Sequence, residues 1–171
     1  HKLLTMCTMQ TAVRWWALFL AMVGTAAAVC LVTPDEHGHV TISENVTSLA
    51  DNAFLGCDSL VSISIPDSVN TIGESAFKTC THIRSITIPD SVTTVGEQAF
   101  AFCTALMSIA LPESMTEISR ELLYNCTALR YVYVPDAVTR IGDWSFGNCE
   151  RLQAIVLPDS VNVVGFAAFA N

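Results

Sequence analysis

Apolar and polar positions alternate in one order that returns along most of the chain. In the stretch Leu60–Cys80, LVSISIPDSVNTIGESAFKTC, the apolar Leu60, Ile63 and Ile65 are interleaved with Ser62 and Ser64. That alternation predicts a short strand with one buried edge. Pro66 ends the strand because it has no N–H to give to a ladder, and Asp67 and Ser68 supply turn chemistry. Val69 and Ile72 return to the interior, and Gly73 permits a sharp bend or a positive φ. Glu74 to Cys80, with Ala76, Phe77 and Cys80 at spacings of one, three and four, predicts a short helical or 3-10 arc. The same order recurs every 23 residues: Pro66, Pro89, Pro112, Pro135, Pro158; Cys57, Cys80, Cys103, Cys126, Cys149; Phe54, Phe77, Phe100, Leu123, Phe146, Phe169. A chain built this way stacks coils, each burying its apolar edge against its neighbours instead of in a central core.

A period between about 20 and 29 residues, rich in Leu, Ile and Val, is the signature of a leucine-rich-repeat solenoid. The expected fold is an α/β repeat with parallel strands about 4.8 Å apart on one face and short helical or 3-10 return arcs on the other. Residues 1–32 read as a signal peptide or membrane anchor, 33–42 as a lead-in and 43–171 as repeats. The phrases IPDSVNTIGESAFKTC, IPDSVTTVGEQAFAFC and VPDAVTRIGDWSFGNC resemble the BspA-like leucine-rich-repeat family over about three quarters of the chain. The resemblance implies a secreted or surface-exposed solenoid, often linked to adhesion, with extracellular-matrix proteins among the partners of bacterial members. It carries no catalytic motif. One departure from ordinary leucine-rich repeats is visible: Ser68, Ser91, Ser114, Ala137 and Ser160 stand where those repeats carry a ladder Asn.

Trp15 to Val32 runs eighteen residues without a charge, behind Arg14 and ahead of Asp35 and Glu36. A basic flank, an apolar run and the small residues Ala26-Ala27-Ala28 match a cleaved secretory signal. The length also suits an uncleaved anchor, the only membrane contact expected, and a buried helix is the third alternative. The first two place the repeats outside the cytosol or in the lumen. The chain starts at His1 and stops one residue before the next cysteine of the series, and no C-terminal polar cap is visible. Further repeats or another domain are therefore expected beyond Asn171. Net charge is −8, and of the eight basic residues Lys2 and Arg14 precede the repeats. So acidic a surface excludes a nucleic-acid partner, whose phosphates need a Lys/Arg stripe.

The recurring cysteines read as an inward row of thiols acting as small hydrophobes. Disulfides are the alternative that an oxidising compartment would favour, though side chains stacked in parallel meet disulfide geometry poorly. Zinc lacks any CxxC or nearby His pair. Cys30 lies near the expected mature N-terminus, available to pair between chains, while Cys7 leaves with the signal. Asp67, Asp90, Glu113, Asp136 and Asp159 form an acidic row after the prolines, explained by turn chemistry, with calcium as the alternative. His37, His39 and His82 have no metal partner at a recognisable spacing, and there is no GxSxG elbow. An enzyme is not expected, nor a cofactor or metal. Two sequons, Asn45-Val46-Thr47 and Asn125-Cys126-Thr127, are glycosylation candidates; the second precedes an inward cysteine.

The outward strand positions carry the functional expectation. They run Ser62 and Ser64, Ser85 and Thr87, Ser108 and Ala110, then Tyr131 and Tyr133, then Ala154 and Val156, bordered by Arg84, Met107, Arg130 and Gln153. Tyr and Arg are the residues that anchor interfaces, although Tyr also suits any pleated surface. The same repeat is irregular, with Ser119 for Gly and Leu122-Leu123 for Ala-Phe. The expectation is a secreted or cell-surface protein that binds an extracellular protein or glycan through Arg84, Met107, Arg130, Tyr131 and Tyr133. A structural spacer and an intracellular interaction scaffold are the alternatives.

Overall fold

The computed structural model describes residues 34–171; the expected signal or anchor, Cys7 and Cys30 lie outside the described residues. Each of the first five coils contributes two short strands; the sixth contributes one, because residues 154–156, expected to continue the first column, form no strand. The first column holds β1 (His39–Thr41), β3 (Ser62–Ser64), β5 (Ser85–Thr87), β7 (Ser108–Ala110) and β9 (Tyr131–Tyr133). The second holds β2 (Ser48–Leu49), β4 (Thr71–Ile72), β6 (Thr94–Val95), β8 (Glu117–Ile118), β10 (Arg140–Ile141) and β11 (Val163–Val164). Strands pair in parallel, one repeat apart, as in Ile86↔Ile109↔Val132. Sheets β1–β3 and β5–β7–β9 form the first column, and β2–β4–β6 and β8–β10–β11 the second.

The apolar columns face inward as expected. Val69, Ile72, Ala76, Phe77 and Cys80 are completely buried. The Phe column stacks ring on ring, Phe54 on Phe77 at 5.1 Å and Phe77 on Phe100 at 5.3 Å, with the ring planes nearly parallel. Leu123 interrupts the stack, which resumes at Phe146 and Phe169. A second aromatic series crosses the surface of the arcs edge to face, Phe102–Tyr124–Trp144–Phe166.

Serine replaces the ladder Asn functionally as well as positionally. The hydroxyls of Ser68, Ser91, Ser114 and Ser160 donate to the carbonyls of Val46, Val69, Val92 and Val138 at 2.6–2.7 Å, tying each coil to the one before. Ala137 omits this rung. Ala137→Ser is expected to raise unfolding free energy by about 0.5–1.5 kcal/mol, the net worth of one hydrogen bond, read as a higher urea midpoint with an unchanged slope.

Two expectations are corrected. The return arcs are not helical: no helix occurs among the described residues. Positive φ recurs twice per coil, at Asn52, Ser75, Gln98, Glu121 and Trp144, and again at Gly56, Thr79, Phe102, Asn125 and Asn148. A right-handed helix excludes such residues. Instead, N–H groups alternate between two destinations. Those of Ala53, Leu55 and Cys57 donate three residues back, to Ala50, Asn52 and Phe54, whereas those of Asn52, Phe54 and Gly56 donate to Glu74, Ala76 and Lys78 of the next coil. The arcs are stacked turns with positive φ at the third position, the type II pattern. Their i→i+3 spacing imitates a helix in sequence, but half of their donors serve the stack.

The glycine column, in turn, does not need a positive φ. A Cβ at Gly73 would lie 2.5 Å from the Asp51 nitrogen, and one at Gly96 the same distance from the Glu74 nitrogen. These glycines let successive coils approach, and their N–H groups donate across the gap, Gly73 to Leu49 and Gly96 to Ile72. At Ser119 the side-chain hydroxyl donates to the Val95 carbonyl, and the second column breaks between β6 and β8.

Candidate binding face

The ladder β5–β7–β9 fixes the geometry of the candidate residues. Met107 N–H donates to the Arg84 carbonyl at 3.0 Å and Arg130 N–H to the Met107 carbonyl at 2.9 Å. Arg84, Met107 and Arg130 therefore occupy one column on three successive coils, and all are exposed. Tyr131 stands beside Ser108 and Tyr133 beside Ala110. Their exposures, 63% and 49%, are large for tyrosines in a sheet, because the preceding coil offers only small side chains to lean on. All five residues expected from sequence thus share one face.

That face is electrically polarised. Arg84 and Arg130 line the edge where the strands begin; Asp67, Asp90, Glu113, Asp136 and Asp159, all exposed, line the edge where they end. Tyr133 bridges to the acidic side, its hydroxyl donating to Glu113 Oε1 at 2.8 Å. Accepting that proton holds the phenol above its ordinary range, since ionisation would set two anions together.

One participant escaped the sequence reading. Arg130 and Arg151 line a surface cavity of about 350 Å³ with Glu150, Leu152 and Gln153. Arg151 follows Ser59, His82, Ala105 and Ala128 in its column, so the repeat pattern gave it no signal. Its column lies on the approach to the strand, where only the folded coil turns it toward Arg130.

The other candidates resolve into structural roles. His39 hydrogen-bonds Ser62 Oγ through Nδ1 at 2.8 Å and Ser64 Oγ through Nε2 at 3.2 Å. Asp35 accepts the backbone N–H groups of His37 and His39, which holds its carboxyl below the usual range. That carboxylate therefore serves a turn, and the one beside the His37 imidazole is Glu36, 3.7 Å from Nε2 with both side chains exposed. Among the described residues, no group of three His, Cys, Asp or Glu side chains converges to hold a metal. Asn45 is exposed in a turn, whereas Asn125 is half-buried in the left-handed conformation that asparagine tolerates.

The cysteine row divides. Cys57 is disulfide-bonded; Cys80, Cys103, Cys126 and Cys149 are free and buried. Each free thiol donates to a carbonyl in the preceding coil, Cys80 to Phe54 at 3.0 Å and Cys103 to Phe77 at 3.1 Å, then Cys126 to Phe100 and Cys149 to Leu123. Burial pushes Cys80 up to about 12 and Cys149 up to about 11 from an ordinary 9.0. The four thiols should therefore resist a disulfide reagent at pH 8 and react together once urea unfolds the chain, because thiolate is the reacting form. Folded values above unfolded ones also mean that this stabilisation is complete below pH 9 and declines as pH rises toward 11–12. A urea midpoint that falls across that window checks the sign.

The model of the BspA-type leucine-rich repeat region matches this chain in six copies, over residues 36–153 and 117–171. Among solved structures, the T. pallidum leucine-rich repeat protein is similar at 29% identity and a TM-score of 0.63, over 65% of this chain and 52% of that one. A leucine-rich cell surface protein of Faecalibacterium prausnitzii is also 29% identical, with a TM-score of 0.59 over 81% of this chain and 46% of its own. A leucine-rich-repeat protein of Eubacterium ventriosum shares the fold at 24% identity, a TM-score of 0.60, and coverage of 82% and 44%. The chain spans about half the length of these structures. No curated protein matches it.

Proposed function

Because this chain belongs to the BspA-type leucine-rich-repeat family, we propose that it is a secreted or cell-surface solenoid that binds an extracellular protein or glycan across its first strand column. The observation that carries the reading is the pair of exposed rings, Tyr131 and Tyr133, set beside Arg84, Met107 and Arg130 on a ladder otherwise paved with Ser, Thr and Ala. Tyrosine orders only two side-chain torsions on binding, so it anchors a partner at low entropic cost. The similarity to a protein described as cell-surface supports the location.

The test replaces Tyr131 and Tyr133 by Ser, the residue type already present at Ser85 and Ser108. Wild type and double variant are compared on immobilised extracellular-matrix glycoproteins and glycans, with the fold followed by circular dichroism. At least about tenfold weaker capture at unchanged fold is expected, since anchor residues carry about 2 kcal/mol or more. Equal capture by the double variant removes the binding face from these tyrosines.

A further inference from the structure

Basic side chains are scarce in this chain, and most of those away from the strand face are already engaged. Arg120 pairs with Glu121 at 2.9 Å, Arg140 with Glu117 at 3.2 Å, and Lys78 donates to Gln98 at 2.6 Å. Arg130 and Arg151 have no ion pair or side-chain hydrogen bond among the described residues, yet they line the same cavity of about 350 Å³. Two uncommitted guanidinium groups facing one concavity repel each other, and a chain of net charge −8 offers ample carboxylates to neutralise them. Glu150 is the one carboxylate in the lining, beside Leu152 and Gln153. A cavity of this size lies at the small end of those that enclose a small ligand.

We propose that this cavity is a subsite for a sugar ring bearing a single anionic group. The guanidinium fork accepts a two-oxygen anion through paired N–H donors, a geometry that lysine lacks. The Glu150 carboxylate and the Gln153 amide can pair with ring hydroxyls.

One feature favours a singly charged sugar over a long polyanion. Such a polyanion would meet the acidic row that borders the same face, from Asp67 to Asp159, and be repelled there. The inference rests on the strand-face reading and names its ligand class.

The test titrates the full chain with sialyllactose, lactose and sulfated lactose by calorimetry. Sialyllactose or sulfated lactose is expected to bind at least about tenfold more tightly than lactose, as charge-assisted hydrogen bonds require. The two arms tell carboxylate from sulfate. Arg130→Gln and Arg151→Gln should each weaken that binding about tenfold, while Arg140→Gln, on the other strand column, should leave it unchanged. Lactose binding equal to the charged sugars overturns the proposal, as do Gln variants that bind like wild type. Binding of an acidic peptide with no response to either charged sugar also overturns it, in favour of a protein partner. If the charged sugars fail while capture by matrix proteins still depends on Tyr131 and Tyr133, the binding face stands and the sugar class falls. If capture is also insensitive to the tyrosines, both fall.

Discussion

Phe77→Ala is expected to cost about 3–5 kcal/mol of unfolding free energy. Phe77 is completely buried and touches Phe54 on one side, at 5.1 Å, and Phe100 on the other, at 5.3 Å. In a globular core, neighbours could collapse from many directions into the space left by a ring. In a stack of coils, the backbone hydrogen bonds of Phe54 to Ala76 and Phe77 to Ala99 hold the spacing, so the cavity persists. Loss of one ring also removes two stacked contacts, each worth about 0.5–1.5 kcal/mol beyond burial. Phe77→Leu should cost much less, because Leu123 fills the same column fully buried. Urea unfolding of both variants checks the order; equal losses would show that the ring stack, and not the filling of space by a large side chain, carries the stability.

Gly96→Ala should destabilise although it adds only one carbon. The new Cβ would meet the Glu74 nitrogen at 2.5 Å and the Gly73 carbonyl carbon at 2.6 Å, and backbone atoms cannot rotate away. Overpacking of this kind costs about 1–3 kcal/mol, and parting the coils also strains the bond from Gly96 N–H to the Ile72 carbonyl. Ser119 shows how the chain meets the same demand: the ladder opens and the hydroxyl takes the carbonyl instead. Gly96→Ser is therefore expected to be milder than Gly96→Ala, the reverse of a size-based ranking. Denaturation midpoints decide it, and alanine proving the better tolerated of the two would refute the hydroxyl's part.

The candidate face was legible in part. Tyr131, Tyr133, Arg84, Met107 and Arg130 could be assigned to one surface because strand alternation and the repeat together specify both the direction of a side chain and its neighbours on adjoining coils. Arg151 could not, since its column holds no constant residue type and the approach to the strand has no alternation to read. The Tyr133–Glu113 bond was equally hidden. It joins the strand of one coil to the turn of another, and only their separation in space makes it possible.

The arcs failed for a related reason. Ala76, Phe77 and Cys80 carry the inward spacing of a helix, and stacked turns produce the same spacing. What distinguishes them is where the N–H groups go, to the same coil or to the next, and a linear pattern does not encode that choice.

By itself the sequence determined the repeat, the parallel register and the inward columns of Phe, Cys and Ile, because a 23-residue period aligns like with like when coils stack. Only the tertiary structure decided the turn geometry of the arcs, the close-approach role of Gly73 and Gly96, and the convergence of Arg130 with Arg151. Those depend on ångström-scale distances between coils, which arise when backbone donors of one coil find acceptors on the next.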